Sequence, residues 1–261
     1  HGAGAAVTTG IQNTLIGGLA GDALTDADKN VAIGIEALSL DTLGSNSVAI
    51  GPFALNNQNF TSATNTYNTA VGANAGTAVT TGTNNTLIGA LAGDALTEGS
   101  NNVAVGEETL SSDTLGSRST AIGGNALANQ NFTSATNSYN TAVGFDVGVS
   151  VTTGVENTLI GGAAGDALTD ADYNVAVGMN ALTSDTLGSR SVAIGYQALA
   201  FQNFTSATNT YNTAVGHLAG NKVTTGVQNT FLGGLAGDAT TTANANTAVG
   251  YASLGANIDG T

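Results

Sequence analysis

One short alternation of polar and apolar positions returns along the whole chain. It reads Ser47-Val48-Ala49-Ile50-Gly51 at one place and Asn68-Thr69-Ala70-Val71-Gly72 at the next. Alternation over so few residues, closed by glycine and with no helical period between copies, is a strand signal. Val48 and Ile50 fall on one face of such a strand and Ala49 on the other. The β-branched face is the one expected to be buried. The expected core is therefore one Val or Thr, one Ile or Val and one Ala per copy, with leucines such as Leu38, Leu55, Leu110 and Leu127. The closing glycine suits a sharp bend at positive φ, where a side chain would clash.

The copies are spaced by rule. Their glycines are Gly17, Gly34, Gly51, Gly72, Gly89, Gly106, Gly123, Gly144, Gly161, Gly178, Gly195, Gly216, Gly233 and Gly250. The spacings run 17, 17, 21 and 17 and then begin again, so the full period is 72 residues. Asn-Thr-(Leu/Phe)-(Ile/Leu)-Gly marks that period at Asn13, Asn85, Asn157 and Asn229. Three residues after each glycine stands alanine, as at Ala20, Ala37 and Ala54, except at Thr109, Val147 and Ser253. A constant small side chain points to a close approach of two backbones.

A strand every ~17 residues without intervening helices cannot build βαβ units, but it fits one coil of a parallel β-solenoid, in which repeats stack and bury their faces against neighbours. The fold expected is thus all-β: a parallel β-solenoid or β-roll of about fourteen coils of 17 or 21 residues, in three complete and one partial 72-residue units, spanning 1–261 as a single repetitive domain. The apolar surface of one coil is small. Three chains side by side would bury the alanine or leucine ladder along a common axis, so a homotrimer is expected.

Composition narrows the function. The chain holds 37 glycines, no cysteine and no tryptophan, and only 8% of its residues are charged. Regular Val, Ile, Leu and Thr with few charges argue for order rather than disorder. Acidic residues outnumber basic ones 18 to 4, for a net charge of −14. That balance argues against nucleic acid, whose phosphates call for Lys and Arg, and against anionic membrane surfaces. No apolar run approaches the ~18 residues of a membrane span. No signal peptide is expected, and His1 reads as the start of a fragment.

The run Asn46-Ser47-Val48-Ala49-Ile50-Gly51, with Ala54 beyond it, resembles the head repeat of trimeric autotransporter adhesins. Asn212-Thr213-Ala214-Val215-Gly216, followed by Thr224-Thr225-Gly226, is similar to repeats of bacteriophage tail-fibre shafts. The resemblance implies a left-handed parallel β-roll assembled as a trimer, extracellular, on a bacterial cell surface or in a virion tail fibre. Adhesin heads commonly repeat nearer fourteen residues, and no stalk, anchor or fibre chaperone domain is recognisable, so adhesin and tail fibre both stand.

Candidate chemistry is sparse. His1, His217, Lys29, Arg118, Arg190 and Lys222 do not recur in every unit, so no enzymatic activity, catalytic residue or cofactor is expected. The carboxylates do recur: Asp22, Asp94, Asp166 and Asp238 in Gly-Asp-Ala, and Asp41, Asp113 and Asp185 in Asp-Thr-Leu-Gly. Asp22, Asp26 and Asp28 raise the thought of calcium, but Glu98 and Ser100 replace the latter pair in the next unit. Turn residues bonding their own backbone are the favoured reading, and no metal is expected.

The 21-residue coils carry the irregularity that matters most. Their extra residues bring Phe60 and Tyr67, Phe132 and Tyr139, and Phe204 and Tyr211. Insertions in solenoids emerge as surface loops, often on a binding face. The six aromatics are candidate receptor contacts, for a cell-surface glycan or protein; packing into grooves between chains is the favoured alternative, since exposing them is costly. Asn59-Phe60-Thr61 also matches a glycosylation sequon, meaningful only in a eukaryotic secretory pathway. The function expected is multivalent attachment by an extracellular fibre. Alternatives are a tail-fibre spacer and an ice-binding solenoid, the latter disfavoured because Thr14, Thr69 and Thr86 alternate with Val31, Val48 and Val103 and are expected to face inward.

Overall fold

A computed structural model of the chain describes residues 2–256 and 258; His1 lies outside them. The protein is all-β, with no helix among the described residues. It folds as two compact units, residues 1–137 and 138–261.

In the first unit, seven three-residue strands stack in parallel: Thr14–Ile16, Val31–Ile33, Val48–Ile50, Thr69–Val71, Thr86–Ile88, Val103–Val105 and Thr120–Ile122. The second stacks seven more, from Thr141–Val143 to Thr247–Val249. Register is uniform: Ala32 lies on Ala49, and Ala49 on Ala70. Each coil of the sequence is therefore one turn of a parallel β-solenoid, as expected. The motif glycines hold φ between 115 and 144°. A Cβ on Gly17 would come within 2.4 Å of the Gly34 carbonyl oxygen, so the stacked backbones leave no room there for a side chain.

The strand alternation is as expected, but its faces are reversed. The middle residue points inward, as in Ala49 at 0% exposure, while Val48 and Ile50 are only half-buried. Ile16, Ile88 and Ile122 in the first unit, and Ile160, Ile194 and Leu232 in the second, are exposed. The reason is the narrow interior. Opposite the strand centre stands the residue four after the glycine, and their sizes trade. Leu87 faces Gly93, whose added Cβ would lie 2.8 Å from it. In the next coil Ala104 at the strand centre goes with Leu110 at the opposite place, both fully buried. Two β-branched side chains from each strand would overfill this space. Their prevalence reflects the extended backbone that branching favours, not burial.

The alanine ladder (Ala20, Ala37, Ala54) and the leucine ladder (Leu38, Leu55, Leu110, Leu127) are likewise fully buried within the chain. They cannot be the surfaces that meet another chain, contrary to expectation. A third buried ladder is polar. Asn30 N donates to Asn13 Oδ1 at 2.9 Å, Ser47 N to Asn30 Oδ1 at 2.8 Å and Asn102 N to Asn85 Oδ1 at 3.0 Å. Asn30 Nδ2 donates in turn to the Gly44 carbonyl at 2.9 Å. These amides satisfy backbone groups at the corner where the strand begins, which would otherwise be buried without partners.

Candidate binding surface

The insertion of each 21-residue coil grows from a buried carboxylate. Asp41 occupies the column seven residues after the motif glycine, where Leu24 and Val79 sit in other coils, and all three are fully buried. Asp41 Oδ1 accepts from Gly44 N at 3.1 Å and from Phe60 N at 3.0 Å. Its Oδ2 accepts from Gln58 Nε2 at 2.6 Å. Gln58 occupies the same column one coil on; its Nε2 also donates to Ser47 Oγ at 2.9 Å, and its Oε1 accepts from Asn68 Nδ2 at 2.8 Å. A Cβ on Gly44 would strike the Asp41 carboxylate at 2.1 Å, which explains the glycine of Asp-Thr-Leu-Gly.

The arrangement recurs. Gln130 Nε2 donates to Asp113 Oδ2 at 2.6 Å and Gln202 Nε2 to Asp185 Oδ2 at 2.5 Å. Burial pushes the Asp113 and Asp185 carboxyls above the ordinary carboxylate range, against the lowering pull of these glutamines and the backbone N–H donors. The turn role expected of these aspartates holds in part: they do bond their own turns, but each also joins two coils from inside.

From this anchor the loop leaves and returns. Phe60 N is held by Asp41, Thr61, Ser62 and Ala63 stand exposed, and Thr64–Asn65 re-pairs with Gly44–Ser45. The six aromatic candidates divide. Phe60, Phe132 and Phe204 are buried at 5–7% exposure, plugging their own solenoid rather than a groove between chains. Tyr67, Tyr139 and Tyr211 are exposed at 51–57%. The buried Asp–Gln pair was missed by the sequence reading, although a polar residue in the Leu24 and Val79 column at a 72-residue recurrence carries the signal.

In the second unit the tyrosines belong to a surface column. The Arg190 guanidinium lies 4.6 Å from the Tyr173 ring centroid and 6.0 Å from that of Tyr211, within cation–π range. Its Nε donates to Asn209 Oδ1 at 3.0 Å. His217 stacks on Tyr196 with ring centroids 5.4 Å apart.

Several of the other carboxylates are engaged coil to coil. Asp26 Oδ1 accepts from Thr9 Oγ1, and Asp28 Oδ1 from Ile11 N at 2.8 Å. Asp22 Oδ1 and Asp94 Oδ1 are buried without a partner, whereas Asp166 Oδ1 accepts from Thr183 Oγ1 at 2.5 Å. The first two units carry Ser39 and Ser111 at the Thr183 place. Ser39 Oγ accepts from Asn56 Nδ2 at 2.8 Å, and Ser111 Oγ donates to the Ala128 carbonyl at 3.4 Å. Burial also raises the Asp94 carboxyl; its own backbone N–H lowers it, and the nearby Glu108 charge adds to the rise. Among the described residues no three His, Asp or Glu side chains gather as a metal site. Comparison with protein-family models, with curated proteins and with solved structures returned no match.

Proposed function

We propose that this chain is part of an extracellular fibrous protein whose copies assemble side by side as trimers and serve attachment, on a bacterial cell surface or in a virion tail fibre. The observation that carries the reading is the outward sheet face. Each strand turns one Thr or Val and one Ile, Val or Leu to the outside, in unbroken register within each unit. Contiguous exposed apolar surface of this kind marks an interaction face, and a homotrimer supplies an identical apolar face from each neighbour. The exposed Tyr67, Tyr139 and Tyr211 then give nine tyrosine contacts per trimer, and avidity of ~10²–10⁴ needs no strong single site. The work is geometric and non-catalytic.

Light scattering on a gel-filtration peak tests the assembly. A trimer has three times 25.4 kDa, near 76 kDa, and Ile160→Asp with Ile194→Asp should return it to the monomer mass. A wild-type mass of 25.4 kDa sinks the trimer.

A second reading gains from the reversed faces. Because Thr14, Thr69, Thr86 and Thr120 point outward beside the apolar rank, the objection to ice binding falls, and rows ~4.8 Å apart could order water. The unbroken Ile/Val/Leu rank fits a protein partner better. Thermal hysteresis from a monomeric sample would reverse that preference.

A further inference from the structure

The three units are not equal on their surfaces. Six residues after the motif glycine, the 21-residue coils carry Asn57, Asn129 and then Phe201, and the coils that follow carry Ala78, Ser150 and then Lys222. In the second compact unit these two substitutions fall together, in an open groove of about 610 Å³ lined by Ser184, Phe201, Asn203, Lys222, Thr224 and Thr241. That volume lies within the ~300–1,000 Å³ of small-ligand sites.

The lining has a definite chemistry. Phe201 is 57% exposed, a large ring left in water at a place where the sister units use asparagine. Lys222 makes no ion pair among the described residues, in a chain of net charge −14. Asn203 uses its Oδ1 to accept from Thr186 Oγ1 at 3.3 Å, and its Nδ2 makes no hydrogen bond among the described residues. Thr224 Oγ1 donates to the Thr241 carbonyl at 3.3 Å, keeping its lone pairs as acceptors. A flat π-face, one cation and a rank of amide and hydroxyl groups match a pyranose ring. Its C–H face stacks on the aromatic, its hydroxyls exchange hydrogen bonds with Asn203 and Thr224, and one carboxylate meets the ammonium.

We propose that the Phe201–Lys222 groove binds a saccharide bearing a carboxylate. The proposal deepens the attachment reading by naming its ligand class, and rests on that reading only for its biological use.

The test is titration of the full chain with glucuronic acid and, in parallel, with glucose, followed by ligand-observed NMR. Two variants carry their own folding controls, because each restores a residue that a sister unit has at the same place: Phe201→Asn and Lys222→Ala. The wild type should bind glucuronate at millimolar concentration and several-fold better than glucose. F201N should weaken both sugars by about tenfold, and K222A should remove the preference for glucuronate while leaving the neutral sugar bound. Equal binding by wild type and F201N, no preference for the acid, or no binding at millimolar glucuronate overturns the site. If the sugar binds as described but the protein attaches to no cell, the attachment reading fails and the groove stands. If attachment persists without sugar binding, the groove alone fails.

Discussion

The buried carboxylate is the least expected residue in this chain. A charge placed in a core column without a cation is costly, and here donors alone surround it. Replacing Asp185 by Asn turns an amide nitrogen toward either Gln202 Nε2 or the Gly188 and Phe204 N–H groups. The expected loss is about 1–3 kcal/mol, read as a lower urea midpoint. Protonation acts in the opposite sense to the usual aspartate. The folded carboxyls of Asp113 and Asp185 are raised above the ordinary value, so the folded state holds protons that the unfolded state releases. Their contribution is fully present below the unfolded value of ~3.9 and is lost as pH rises through the raised folded values. Thermal midpoints should therefore climb as neutral samples are acidified and level off near pH ~4. The D113N/D185N double variant should climb less; an equal climb would assign the effect elsewhere. In the sequence these aspartates read as turn residues, because Asp-Thr-Leu-Gly has turn composition. The inward direction came from their column, which only the coil alignment with Leu24 and Val79 could give.

At the scale of one coil, size trades across a narrow interior. Leu87→Ala should cost ~2–5 kcal/mol by opening a cavity. Gly93→Leu should also destabilise, since its Cβ already falls 2.8 Å from Leu87 and 2.9 Å from Leu96. Together they imitate the Ala104 and Leu110 pair, and the double variant should recover part of the sum, the remainder being the Leu96 contact. Strict additivity in that double-mutant cycle would refute the pairing. Left-handed backbone at the new leucine is no obstacle: Leu110 has φ 55° and Gly93 φ 56°. Strand positions, coil length and the parallel solenoid were legible in the spacing of the glycines. Which strand face lies inside was not, because alternation fixes two faces without saying which one fits the space. The loops were legible as insertions, but the division between buried Phe60 and exposed Tyr67 was not. It depends on Asp41 drawing in the Phe60 N–H from nineteen residues away.

At the scale of the chain, the four-coil period is the indivisible quantity. Each unit places its aspartate and glutamine on consecutive coils, so the pair closes within one unit. Removing residues 31–102 joins Asn30 to Val103 and leaves every such pair whole; this shortened chain should fold and keep the wild-type thermal midpoint within a few degrees. Removing the single coil 103–119 takes Asp113 away and leaves Gln130 Nε2 and the Phe132 N–H without their acceptor. That smaller deletion should lower stability more than the larger one, a reversal that unfolding curves would show directly. The same closure has a genetic consequence. A coding sequence that repeats every 216 nucleotides invites unequal recombination, and each exchange in register adds or removes one self-satisfied block. Lineages can thus change the length of this protein in a single event, in steps of 72 residues, without any compensating substitution.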